Sequence, residues 1–211
     1  METILEQLLN RKKELRQLRE PIADAAKILV KTFKQGGKVL ICGNGGSSAD
    51  AGHMVGELMK GFENSRPLSG ETRQKMGEVF GTRGKLLAEK LQQGLPAISL
   101  CEHTALITAI SNDLGSDLIY AQQVMGYGNR GDILLAFSTS GNAENVINAL
   151  VVAKSKGLKT IGMTGQHGGK MQEYCDLLIP VPETRTAYIQ ELHLPVYHTI
   201  CLMIEHEFFK K

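Results

Sequence analysis

Five short apolar runs punctuate this chain, and segments of helical spacing lie between them; few folds accommodate that pattern. The runs are Lys38–Cys42, Leu95–Leu100, Asp132–Phe137, Lys159–Met163 and Leu177–Val181. Each is too short for a stable helix and apolar along nearly its whole length, as strands covered on both faces are. Residues 47–62, 104–111, 117–126, 144–156 and 186–209 read as helices, the fourth stopping at Gly157 and the last carrying Pro195, which predicts a kink. Strand and helix alternate, which predicts a parallel sheet with helices on both faces, a three-layer α/β sandwich. Ligands of such sheets bind outside the carboxyl ends of the strands. The residues that follow each run are therefore where function is sought.

Two segments stand outside this alternation. Residues 1–35 place Leu5, Leu8, Leu9, Leu15, Leu18, Ile22, Ala25, Ala26, Leu29 and Val30 at helical spacing, with Pro21 between two helices or in the first turn of the second. Their apolar surface exceeds what one sheet face can cover, which predicts a homotetramer. Residues 63–94 are charged and glycine-rich and read as an insert, a mobile pair of short helices or a partly ordered excursion, serving either as a solvated surface segment or as a lid over a ligand.

The totals narrow the function classes. A length of 211 residues suits one domain, spanning 1–211, with a core that needs no disulfide or metal staple. A net charge of +2 supplies no basic field for nucleic acid. Cys42, Cys101, Cys175 and Cys201 form no CxxC pair and read as reduced thiols. No apolar stretch reaches the roughly 18–20 residues of a membrane span, and residues 1–20 have no signal-peptide core. A soluble cytoplasmic protein without membrane or nucleic-acid partners is expected.

Two loops follow strands and precede helices: Gly43-Asn44-Gly45-Gly46-Ser47-Ser48 and Ser138-Thr139-Ser140-Gly141-Asn142. Glycines let backbone approach an anion, a helix N-terminus offers free N–H groups, and hydroxyls add donors. Together they suit one phosphate and some sugar hydroxyls; singly, each is also an ordinary helix cap. The first loop has Ser48 where a dinucleotide fingerprint requires glycine, and no P-loop is present, so no nucleotide cofactor is expected.

His53 and Glu57 lie four apart on the helix after the first loop, on one helical face. An imidazole and a carboxylate so spaced can bind zinc, act as an acid–base pair, or stand as a solvated polar pair. The last helix carries Gln190, Glu191, His193 and His198. Gln190 and His198 are about 12 Å apart along a straight helix, far for a shared ion unless the helix kinks or two subunits contribute.

Cys-Gly-Asn-Gly-Gly-Ser (42–47), His53-x-x-x-Glu57, Ser111-Asn112-Asp113, Ser138-Thr139-Ser140-Gly141-Asn142 and Ile189-Gln190-Glu191-x-His193 resemble, in this order, the sugar isomerase (SIS) domain proteins. The branch they are most similar to is the sedoheptulose 7-phosphate isomerases, or phosphoheptose isomerases. The resemblance implies a flavodoxin-like five-stranded sheet and a tetramer with active sites at subunit interfaces. It implies conversion of D-sedoheptulose 7-phosphate to D-glycero-D-manno-heptose 7-phosphate, with Glu57 as base and His198 as acid. Asn44, Gly45, Gly46, Ser47, Asn112, Asp113, Ser138, Thr139, Ser140 and Gln190 would hold substrate, and His53, Glu57, Gln190 and His198 would bind zinc. Ala143 departs from the pattern where a phosphate-contacting serine is frequent, and the insert at 63–94 departs from it in length. Another phosphosugar isomerase and a non-catalytic scaffold remain the alternative readings; Glu57 and His198 argue against the scaffold.

Overall fold

The computed structural model describes residues 1–210. Five strands, β1 (Val39–Cys42), β2 (Ala97–Ser99), β3 (Ile133–Phe137), β4 (Lys159–Gly165) and β5 (Leu177–Val181), form one sheet in the order β2-β1-β3-β4-β5, every pairing parallel. Pro180, which has no N–H for a ladder, lies in the edge strand β5. Alternate residues of a strand serve opposite faces. Val39 and Ile41 of β1, with Ile133, Leu135 and Phe137 of β3, enter one core cluster; Leu40, Cys42, Leu134 and Ala136 enter the other.

The first cluster lies under α1 (Glu2–Arg11), α2 (Arg19–Lys34), α3 (Gly46–Met59) and α8 (Thr186–Phe209). The second lies under α6 (Ile119–Tyr127) and α7 (Glu144–Ser155), with α5 (Thr104–Asp113) beside them. Pro21 falls in the first turn of α2. α8 runs through Pro195 as one helix. α7 ends as its sequence predicts: Leu158 N–H donates to Ala153 and Gly157 N–H to Lys154, closing the helix with a Schellman pair.

Two expectations need correction. The apolar residues of α1 and α2, from Leu5 to Val30, are covered within the chain by α8 and the sheet. Each such side chain contributes about 1.5–3 kcal/mol by burial, so they leave no free apolar face and give no reason for a tetramer. The helix after the first loop stops at Met59 rather than at Phe62, because backbone donors there are drawn elsewhere: Phe62, Glu63 and Asn64 N–H all donate to the Glu205 carboxylate.

Residues 70–90 form α4 (Gly70–Lys90), two helical pieces folded back on each other at Gly81, whose φ of 53° suits glycine. Ser69 caps the first piece by accepting from Thr72 N–H. The hairpin leaves Val79 and Phe80 at its turn 61% and 66% exposed. Among the described residues no helix is long and apolar enough to cross a membrane.

Candidate active site

In the order β2-β1-β3-β4-β5 the chain reverses direction of travel between β1 and β3, and sheets of this topology bind ligands at that switch point. A pocket of about 330 Å³ lies there. Asn44, Gly45, Gly46 and Ser47 after β1, and Ser138, Thr139 and Ser140 after β3, line it, with Phe137, Ala143, Thr186 and Gln190. Both glycine and hydroxyl loops thus meet at one place, as the sequence implied.

Gly45 has φ 56° and ψ −120°, a conformation only glycine adopts without strain. A Cβ on Gly46 would collide with the Gln190 side-chain amide, so the absence of a side chain there lets α8 close the pocket. The first loop is pinned from the far side of the sheet. Asn44 and Asn145 exchange amide hydrogen bonds of 2.9 and 3.0 Å, and the Tyr120 hydroxyl donates to the Gly43 carbonyl at 2.5 Å. Thr186, Asn145 and Tyr120 are site residues that motif reading missed. Thr186 carries a signal of a kind, as a hydroxyl at the start of the long last helix; the other two carry none.

Asn112 and Asp113 end α5 exposed, bonded to each other at 2.8 Å, and do not line this pocket.

A second cluster stands farther along α3. Ser47 and His53 are six residues apart, about 9 Å along the axis. His53 Nε2 is 3.2 Å from Glu57 Oε1 and 3.4 Å from His198 Nε2, so α3 and α8 bring together three of the four residues of the implied metal set. Gln190 stays with the switch-point pocket. Donors on a tetrahedral zinc with bonds of about 2.0–2.1 Å stand about 3.3–3.4 Å apart, and both measured edges match that spacing. The three do not yet enclose a common centre: among the described residues no group of three or more His, Cys, Asp or Glu is arranged to hold a metal ion. The donor chemistry is of a kind that suits zinc, and completing a cage requires side-chain rotation.

Tyr197, next to His198, places its hydroxyl 3.2 Å from Asp50 Oδ1 and 3.0 Å from His53 Nδ1. Burial, and then the neighbouring Asp50 carboxylate, push the Tyr197 phenol well above its ordinary pKa. Burial, and then His53, lower the His198 pKa, with Glu57 opposing them. His193 is fully buried between Phe137 and the Thr164 carbonyl, structural rather than catalytic. Burial, against that carbonyl's opposing effect, lowers its pKa to about 4.

A family model described as SIS domain matches residues 5–93 and 69–165. The chain belongs to the SIS domain family. Among its SIS relatives, a phosphoheptose isomerase of Aliarcobacter butzleri is 43% identical over 195 residues, spanning 92% of this chain and 89% of its own length. One of Burkholderia pseudomallei (strain 1710b) is 40% identical over 192 residues, spanning 91% and 83%. The solved phosphoheptose isomerase of Francisella tularensis superposes on this SIS domain with a TM-score of 0.77 at 33% identity, covering 97% of this chain and 96% of that one. That of Neisseria gonorrhoeae gives 0.74 at 34%, covering 95% and 94%.

Proposed function

We propose that this SIS protein is a phosphoheptose isomerase, an aldose–ketose isomerase converting D-sedoheptulose 7-phosphate to D-glycero-D-manno-heptose 7-phosphate. The observation that carries the reading is the separation of two sites along α3. The hydroxyl- and glycine-lined pocket at the switch point suits the phosphate on C7, and His53, Glu57 and His198 stand about two helical turns away. In a heptose 7-phosphate the reacting carbons C1 and C2 are at the opposite end from the phosphate, so anchoring and chemistry must be apart. Relatives that are 43% and 40% identical over most of the chain carry the name phosphoheptose isomerase.

In the proposed reaction Glu57 takes the C1 proton of the ketose while His198 gives a proton to O2, forming the enediol. Glu57 then returns the proton to C2 as His198 takes the proton of O1, giving the aldose. Ser138, Thr139, Ser140, Ser47 and the 44–46 backbone hold the phosphate end, and Thr186 and Gln190 close over it. Ala143 supplies no hydroxyl at its position.

We further propose that His53, Glu57 and His198, joined by Gln190 after rearrangement, bind zinc. A bound zinc would polarise the C2 carbonyl. A cytoplasmic homotetramer with sites at its interfaces completes the reading; the exposed Val79, Phe80, Leu86, Leu87 and Leu91 of the hairpin support association.

The test is NMR-monitored conversion of sedoheptulose 7-phosphate by the purified chain, with chelator and with added zinc, alongside metal analysis. Aldoheptose 7-phosphate is expected. Thermal stabilisation by the sugar without conversion would overturn the enzymatic reading in favour of a binding role.

A further inference from the structure

Asp50, Tyr197, His53 and His198 form a line of hydrogen-bonding groups across the α3–α8 contact, with steps of 3.2, 3.0 and 3.4 Å. Asp50 and His53 come from α3, and Tyr197 and His198 are consecutive on α8. The rings stand nearly perpendicular, His53 against Tyr197 at 77°, His53 against His198 at 84° and Tyr197 against His198 at 87°.

The direction of the bonds follows from the end of the line. The Asp50 carboxylate only accepts, and its other oxygen, Oδ2, is buried without a partner. The Tyr197 hydroxyl has one proton. Given to His53, it would leave Oδ1 as well as the buried Oδ2 of Asp50 without a donor, at the cost of desolvation. Given to Asp50, it leaves the phenol oxygen to accept from His53, whose proton must then sit on Nδ1. The free pair of His53 lies on Nε2, facing Glu57 Oε1 at 3.2 Å and His198 Nε2 at 3.4 Å. A ring lone pair and a carboxylate that close repel each other unless a cation or a proton lies between them. The line therefore makes the centre attractive to the Nε2–H of His198 or to a divalent cation.

We propose that Tyr197, oriented by Asp50, is a positioning residue that holds His53 with its proton on Nδ1 and its free pair turned to the reacting centre. Its effect on turnover rests on the isomerase reading above; its effect on the imidazole does not. Without the phenol, His53 has Glu57 Oε1 as its acceptor and moves its proton to Nε2, masking the free pair. Partners of this kind, one step removed from the reacting groups, change activity or metal affinity about 10–100-fold.

The experiment is long-range proton–nitrogen correlation NMR of the histidine rings in the full chain, chelator-treated and at a pH where the rings are neutral. The wild type is expected to show His53 protonated on Nδ1, and this needs no variant. Asp50→Asn, whose amide can donate to the phenol and reverse the line, is expected to move the proton to Nε2, as is Tyr197→Phe. In both, kcat for the heptose phosphate is expected to fall 10–100-fold with KM within twofold. Wild-type His53 protonated on Nε2, or an unmoved proton in two variants that melt as the wild type does, would overturn the proposal. A moved proton in a protein inactive on the sugar would uphold the positioning and sink the isomerase reading instead.

Discussion

The guanidinium of Arg66 and the carboxylate of Glu205 meet at 2.8 Å with both side chains wholly withdrawn from solvent. The same guanidinium donates to the carbonyls of Leu58 at 2.7 Å and Glu57 at 2.9 Å, the last turn of the helix that carries the proposed base. Glu205 in turn accepts from Phe62, Glu63 and Asn64 N–H at 2.8–3.0 Å. One buried pair thus ends α3, turns the chain after it, and ties α3 to α8. Removing one member strands the other. Arg66→Met is expected to destabilise the fold by about 3–5 kcal/mol, read by urea denaturation; a loss under about 1 kcal/mol would mean that water reaches the pair.

Stability should fall on acidification in two steps with known signs. Burial favours neutral His193 and lowers its pKa to about 4. Its contribution is complete above the ordinary 6.5 and is lost as pH falls from there toward 4, because the unfolded chain takes up the proton first. Burial pushes Glu205 up, but its backbone and side-chain donors outweigh that and bring it down to about 2. That contribution is complete above the ordinary 4.5 and disappears toward 2. Each step is worth at most about 3 kcal/mol. Unfolding free energies measured from pH 8 to 3 should show both, and His193→Gln should flatten the upper one alone.

Glu57→Gln keeps the size of the side chain and removes its ability to take a proton from carbon. Turnover is expected to drop by about 10²–10⁴, while thermal stabilisation by the sugar phosphate persists, since the switch-point pocket lacks Glu57. Equal loss of binding and turnover would make Glu57 a structural residue.

Gly46→Ala tests the closure of the anchoring pocket. The new methyl would meet the Gln190 amide, displacing it from the pocket wall. The expected cost is about 1–3 kcal/mol of stability, and KM should rise while Glu57 and His198 remain in place. An unchanged KM would show that Gln190 takes no part in holding substrate.

The parallel sheet was readable from the sequence because strands buried on both faces are apolar at every position, as Ile133–Phe137 is, whereas helices alternate every three or four residues. The glycine and hydroxyl loops were readable because a strand-to-helix turn needs unusual backbone, and His53 with Glu57 because four residues is one helical turn. These are local relations, and the chain states them directly. What pairs across long separations was silent. Arg66 and Glu205 are 139 residues apart, and Tyr197 is simply one more aromatic residue in an apolar helix until Asp50 and His53 face it. Gln190 and His198 share a helix yet face different places, because the eight residues between them carry α8 from the switch-point pocket to the His53–Glu57 pair. The sequence by itself determined which segments are strands, which are helices and where backbone can approach an anion, since those follow from neighbours a few residues apart. Only packing α3 against α8 decided which of their polar groups meet, because a helix presents polar groups all around its axis and the neighbouring helix selects among them.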